Sequence, residues 1–309
     1  MNELIKSFAF KERGSWRSCD DDAATVKFPK DRNLVFTSDS YVVDPIFFPG
    51  GDIGYLAVCG TINDLAVMGA KPLGISLSLV IEEGFPQEDL DKIIKSVKTA
   101  SDAAGTPVVT GDTKVMPRGK LDKIIINTAG VGSAKKEELL TKKPKPGDKI
   151  ILSGGLGEHA VAILSKRFDY ETSLKSDVKA LTGEIEAVRS LIKCAKDLTR
   201  GGLAAAANEI CQRHGVGMEL SEEKIPAKKE ARKVAEMLGL DILSLACEGK
   251  LICVAEKQNA DETVKRLRKF NPSAAVIGEI TQSGKVVVKT FLGKSVLPTP
   301  RGNIVPRIC

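Results

Sequence analysis

PGGDIGYLAVCGTINDLAVMGAKP, residues 49–72, decides how the rest of the chain is read. Leu56, Cys59, Ile62, Leu65 and Ala66 recur at three- and four-residue spacing, which predicts a helix from Ile53 to Gly69. A glycine with a proline close behind, in MGAKP, ends it. This helix is apolar yet carries Asn63 and Asp64 in its interior, and it opens on the glycine-rich GGDIG, with Gly50, Gly51, Asp52 and Gly54 at its N-terminus. Exposed N–H groups at a helix start are a natural phosphate seat, although any one such loop is also an ordinary turn. A carboxylate inside an apolar helix is costly unless a cation or hydrogen-bond partner compensates it.

The same signal recurs along the first half of the chain. Asp20, Asp21 and Asp22 stand in a row before two alanines; Asp39 ends an apolar strand over Leu34–Ser38; Asp112 follows another over Pro107–Thr110. Caps and turns explain one such aspartate. Several of them together point to oxygen-only ligation of Mg²⁺, a cation that usually also binds phosphate oxygens. There is neither a P-loop nor a kinase signature, so an ATP site here is of another kind. A second glycine loop, TRGGL, sets Gly201 and Gly202 before a helix and adds Arg200, whose guanidinium can fork onto phosphate.

The chain has 309 residues, 42% hydrophobic and 28% charged, enough for two domains of ordinary size. Strands are predicted at Leu34–Ser38, Gly74–Ile81, Pro107–Thr110 and Ile124–Gly130, and a second helix over Pro86–Ala104. The polar, basic KKEELLTKKPKPGDKI then interrupts the pattern, which restarts with a strand at Lys149–Leu152. Domains are expected over 1–140 and 141–292, followed by a flexible tail over 293–309. Strands and helices mix without strict alternation, so the fold class is α/β of the α+β type with mixed or antiparallel sheets. Net charge is +6 but scattered, and one Trp and three Tyr offer little for base stacking, which argues against nucleic acid. No apolar run reaches the roughly 18 residues of a membrane span. Seven cysteines with no C-x-x-C pair suit a reduced, cytoplasmic protein, and His159 and His214 alone leave few candidates for zinc.

Taken together, DDAA, FTSDSYVVDPIFFPGGDIGYLAVCGTINDLAVMGAKPL, EEGFP, VTGDTKV, INTAGVG, GEHAVAIL, DLTRGGLAAAANEI, ACEGKL and the final PRIC resemble the PurM-like ATP-binding superfamily. Within it the chain is most similar to the HypE carbamoyl dehydratases of hydrogenase maturation. That resemblance implies two α/β domains, with the first domain's sheet pairing across a homodimer. It implies that a HypF-type carbamoyltransferase loads a carbamoyl group onto the last residue, Cys309. ATP then converts the thiocarboxamide to a thiocyanate, whose cyanide passes through a HypC–HypD-type complex to the iron of a [NiFe] hydrogenase. By the same resemblance Asp22, Asp39, Asp64 and Asp112 are metal and phosphate ligands. Asp21, Gly51, Asp52, Asn63 and Thr113, with Arg200, Gly201 and Gly202, belong to the nucleotide site. Lys114 and Glu248 handle the carbamoyl nitrogen; from the residues alone Glu248 reads equally as a turn acid and Lys114 as a surface ion-pair residue.

Three departures stand out. The H-G-x-G-G segment that usually precedes the family's first helix, and helps cover ATP, is absent before Met1; Leu198 stands where proline is usual and Ala160 where glycine is common. Two other functions remain open: a small-molecule kinase or synthetase of the same superfamily, which needs no cysteine at the end of its tail, and a nonenzymatic assembly scaffold, which would turn over no nucleotide.

Overall fold

In the computed structural model, which describes residues 16–17, 25–26, 28–302 and 304–309, two sheets lie on either side of one buried helix. A short pair, β1 (Trp16–Arg17) and β2 (Thr25–Val26), precedes the first domain's sheet. That sheet holds β3 (Asn33–Tyr41), β6 (Lys71–Glu82), β7 (Val108–Met116) and β8 (Ile124–Ala134) in the order β3-β8-β6-β7. Only β6 and β7 run parallel, because α2 (Gln87–Ala104) makes the crossover between them. β4 (Phe47–Phe48) and β5 (Gly51–Asp52) form a small hairpin that leads into α1 (Ile53–Val67).

Sequence periodicity predicts one apolar stripe on α1, but the helix is buried almost all round, with only Tyr55 and Asp64 partly exposed. One side packs on the first sheet and α2; the other meets β10 (Ile192–Asp197) and α4 (Thr182–Val188) of the second domain. Full burial of Ile53, Leu56, Ile62 and Leu65, each worth about 1.5–3 kcal/mol, fixes the helix between the domains. Its two interior polar residues, Asn63 and Asp64, are thereby held at the domain junction.

Strand alternation sorts the acidic residues. On β3, Thr37, Asp39 and Tyr41 turn toward α1, while Leu34, Phe36, Ser38 and Ser40 are exposed on the outer face. The β6–β7 register sets Asp112 beside Ser78 and Lys114 beside Val80, out of phase with the buried Leu77, Leu79 and Ile81. Asp112 and Lys114 therefore lie on the outer face of the sheet, away from α1.

The second domain is built on β9 (Lys149–Leu152), β10, β11 (Gly217–Ser221), β12 (Leu251–Ala255), β13 (Ala275–Thr281), β14 (Val286–Thr290) and β15 (Gly293–Val296). Their order is β10-β12-β9-β13-β11-β14-β15, mixed as expected, with β11 and β14 the one parallel pair. One face buries α5 (Gly202–His214); the other buries α4 and α7 (Ala260–Leu267). α3 (Glu158–Phe168) and α6 (Lys229–Met237) pack on each other beside the junction. The strand β10 escapes a pattern reading because Lys193 interrupts it; the structure buries that lysine against Asp148 at 2.8 Å and Glu256 at 3.2 Å.

Two expectations about residues 293–309 need correction. The first four residues are not tail but β15, paired with β14. The remainder is not free: Val305 and Ile308 are buried in the core that contains Val43, Phe48 and Ala246. Asp44 N–H donates to the Arg307 carbonyl at 3.0 Å and Val42 N–H to that of Cys309 at 3.5 Å, while Arg307 ion-pairs with Asp122. Two apolar side chains supply the driving force, and the extended backbone gives 42–44 something to pair with.

Candidate active site

The loop before β12 is held from three directions. Cys247 N–H donates to the Leu198 carbonyl at 2.9 Å, Glu248 N–H to Asp177 Oδ1 at 3.2 Å, and the Glu248 carbonyl accepts from Asn63 Nδ2 at 3.3 Å. Asp177 is itself held by Lys250 at 3.0 Å. With its backbone fixed in this way, Glu248 buries its carboxyl completely, and its Oε1 has no hydrogen-bond partner. Burial, reinforced by Asp197, Asp177, Asp39 and Asp64, holds this carboxyl well above the usual range and favours its protonated form.

Glu248 lines a cavity of about 70 Å³ at the domain junction, together with Asp39, Tyr41 and Gly60 of the first domain, Asp64 of α1, and Asp197, Thr199 and Arg200 of the second. Thr61 donates to Asp39 at 3.1 Å and Thr37 to Asp64 at 2.6 Å. Burial and then repulsion from Asp64 raise Asp39, and the same two causes push Asp197 up to about 7. A thiol completes the wall: Cys309 enters this cavity, and burial followed by Glu248 pushes its pKa to about 12, against the opposing pull of Arg200. A larger cavity of about 410 Å³ adjoins through the shared Asp64 and Asp197, and adds Thr37, Lys196, Arg213 and His214.

The residues expected at a site are only partly brought together. Asp39, Asp64, Arg200, Glu248 and Cys309 converge. Asp21 and Asp22 lie outside the described residues. Asp112 and Lys114 pair with each other at 2.6 Å on the exposed outer face and do not line the Glu248 cavity, so the expected Lys114–Glu248 pair is not formed within this chain. Thr113 is buried beneath them on β7, outside that wall. Asp52 caps α1, accepting from Gly54 N–H at 2.8 Å and Tyr55 N–H at 3.0 Å, and Gly51 packs on Phe48 and Val178. Asn63 is a cross-link, accepting from Leu181 N–H at 2.7 Å while it donates to the Lys179 and Glu248 carbonyls. Gly201 and Gly202 have left-handed backbone (φ +79° and +55°), and a Cβ on Gly202 would stand 2.4 Å from the Leu245 carbonyl. Their glycines are thus required by the turn, and Pro300 of the tail lies over Gly201.

Among the described residues, no three His, Cys, Asp or Glu side chains converge closely enough to hold a metal unaided. Two of the four expected ligands, Asp39 and Asp64, do share a cavity, and Asp197 is the third aspartate there. Their mutual repulsion and hard oxygen donors suit a divalent cation completed by phosphate oxygens. Asp197, like Asp39, ends a strand, but Lys193 and Lys196 keep IKCAKD from reading as apolar, so the sequence pattern does not single it out. His159 also escaped; it is fully buried and bonds the tail.

Residues 20–134 match the N-terminal domain of the AIR synthase related proteins, and residues 145–290 match the C-terminal domain of the same family. The carbamoyl dehydratase HypE of Rhizobium leguminosarum bv. viciae is 42% identical over 100% of this chain and 92% of its own. A crystal structure of the hydrogenase maturation protein HypE in complex with ATP superposes with a TM-score of 0.89 at 38% identity, covering 94% of this chain and 90% of that one. In a HypE–HypF complex, the matching chain gives a TM-score of 0.83 at 42% identity over 87% of this chain and 91% of that one. No described helix is long and apolar enough to cross a membrane.

Proposed function

The chain belongs to the AIR synthase related family and, within it, to the HypE carbamoyl dehydratases, and on that footing we propose that it dehydrates a carbamoyl group carried on its own Cys309 at the expense of ATP. The observation that carries this reading is the position of the Cys309 thiol, in one small cavity with Glu248 and three aspartates. Such a group would be R–S–C(=O)–NH₂. Transfer of the ATP γ-phosphoryl to its oxygen, followed by loss of phosphate and of both N–H protons, leaves R–S–C≡N, ADP and phosphate.

Each residue has a task in that scheme. The partnerless Oε1 of Glu248 is the group available to meet the carbamoyl NH₂. Since burial favours the protonated form of Glu248, it serves first as a hydrogen-bonding acid; positive charge entering the site would draw off its own proton, and only the carboxylate so formed can accept one from the carbamoyl nitrogen. Asp197, pushed up to about 7 by burial and by Asp64, is an acid whose ionised form a cation would stabilise. Arg200, beside Cys309, neutralises charge on the departing phosphate. ATP is assigned to the adjoining cavity of about 410 Å³, where Lys196 and Arg213 face its phosphates. Mg²⁺, held by Asp39, Asp64 and Asp197, would supply charge neutralisation on the phosphates.

Three further proposals concern partners. A HypF-type carbamoyltransferase loads Cys309, and a HypC–HypD-type complex receives the cyanide, in the reducing cytoplasm that a free thiol requires. A second copy of the chain covers the outer face of the first sheet, where Leu34 and Phe36 are 59% and 65% exposed. Because Lys114 lies on that same face, a role for it on the carbamoyl nitrogen requires delivery from one copy to the other.

Intact mass and peptide mapping test the proposal. With a carbamoyltransferase, carbamoyl phosphate and ATP, the adduct should form on the C-terminal peptide and then lose the mass of one water. Cys309→Ala should abolish both events while leaving ATP binding intact. An adduct on another cysteine, or water loss that persists in Cys309→Ala, would refute it.

A further inference from the structure

We propose that His159 is a positioning residue: a neutral imidazole latch that grips the peptide between Ile308 and Cys309 and so sets where the thiol stands in the cavity. The ring is fully buried near the start of α3, edge-on to Phe48 with centroids 5.4 Å apart. Its Nε2 is 2.8 Å from the Ile308 carbonyl and its Nδ1 is 2.8 Å from Ser176 Oγ. A carbonyl can only accept, so Nε2 carries the proton and donates to it. Ser176 Oγ already accepts from Val178 N–H at 3.1 Å, which leaves its own hydrogen to donate to Nδ1. Ser176 is in turn anchored by its N–H to the Pro49 carbonyl at 2.7 Å. The tautomer is therefore dictated from behind, and burial keeps the ring neutral against the field of Asp177, the charged group facing it.

This contact differs from the others along the tail. The bonds from Val42 and Asp44 are backbone pairings that a tail displaced along the strand could remake. The imidazole is a single side-chain donor at one fixed point, and the carbonyl it holds is the one directly before Cys309. It acts as a gauge: the cysteine directly after the held carbonyl is the one whose thiol stands beside Glu248. Arg167 supports the same register from the other side, donating to the Arg307 carbonyl at 3.0 Å.

The inference rests on the reading of Cys309 as the substrate carrier, but its test separates the two. Gln at 159 can place an amide donor where the imidazole Nε2 stands, whereas Asn reaches only as far as Nδ1. Iodoacetamide labelling of Cys309 in the full chain, read by peptide mass, reports undocking of the tail without any carbamoyl chemistry. His159→Asn should label about tenfold faster than wild type, the worth of one buried hydrogen bond, and His159→Gln should recover most of that protection. Ser176→Ala, which removes the tautomer-setting donor together with the acceptor for Val178 N–H, should fall between them. Single-turnover water loss from the carbamoylated tail should run in the reverse order, fastest in wild type and slowest in His159→Asn, at unchanged ATP affinity. Unchanged labelling in His159→Asn, or equal acceleration in the Asn and Gln variants, overturns the latch. A wild type that never shows water loss, with the labelling order intact, would refute the carrier reading and leave the latch standing.

Discussion

Replacing Asp197 by Asn should make the protein more stable at neutral pH. An aspartate that ordinarily titrates near 3.8 and is held at about 7 in the fold binds its proton more tightly folded than unfolded. The stability linked to that proton is whole below about pH 4 and is lost as pH rises to about 7. At 1.36 kcal/mol per pH unit, the displacement amounts to on the order of 4 kcal/mol. Asn carries the polar atoms of the protonated acid and never ionises, so the variant escapes the loss. Its effect on Glu248 has the same sign, since Asp197 is the largest charged contributor to the raised Glu248 titration. The assay is urea unfolding of both proteins from pH 4 to 8, without nucleotide or divalent cation. The two curves should coincide near pH 4 and diverge steadily to pH 7, with the variant above. The variant should also bind Mg-nucleotide more weakly, because the repulsion that destabilises the free protein is what a cation relieves. A difference between the two proteins that stays flat across this pH range would refute the assignment of Asp197 as a strained, buried acid.

Two other outcomes follow from the same geometry. Glu248→Gln replaces a carboxyl already neutral, so stability should move by less than about 1 kcal/mol and ATP binding should persist, while water loss from the carbamoylated tail stops; a full single-turnover rate in that variant would remove Glu248 from the chemistry. Gly202→Ala must place a methyl group 2.4 Å from the Leu245 carbonyl at left-handed φ, which should cost about 2–4 kcal/mol by urea unfolding; a cost below about 1 kcal/mol would show that the turn relaxes freely.

How much of this was legible in the sequence depends on the range of each interaction. The strands β3, β6, β8 and β9, and the helices α1 and α2, carry their own periodicity and end within a few residues of expectation. β10 and α4 did not, because their identity rests on partners far along the chain: Lys193 is tolerable in a strand only once Asp148 and Glu256 meet it. The site divides in the same way. Asp39 and Asp64 were conspicuous as carboxylates in apolar settings. Asp112 was conspicuous for the same reason, yet two-residue alternation puts it on the opposite face of its sheet, and only the β6–β7 register reveals that. Asp52 and Asn63 look like ligands in a motif, but their oxygens are already committed to helix capping and to the Leu181 amide. A tail rich in proline and ending in a thiol looks mobile until Val305 and Ile308 are seen to have a core to enter.

The docked tail has a chemical corollary. A carbamoyl donor is attacked by thiolate, and a thiol held at about 12 beside a buried acid supplies almost none at neutral pH. The surroundings that suit the later step, neutral Glu248 and three crowded aspartates around a cavity of about 70 Å³, therefore oppose the earlier one. The same burial that removes the thiolate also bars a second protein from the sulfur. On the carrier reading, loading and dehydration thus require two positions of one tail, and the contacts that distinguish them are Val305 and Ile308 in the core, the backbone bonds at 42–44, Arg307 with Asp122 and Arg167, and the imidazole of His159. Once the carbamoyl group is attached, its NH₂ can satisfy the partnerless Oε1 of Glu248, a bond the bare thiol cannot make as well. On that reading the modified tail should dock more firmly than the unmodified one, so that the binding energy that draws it in is available only when there is a carbamoyl group to dehydrate.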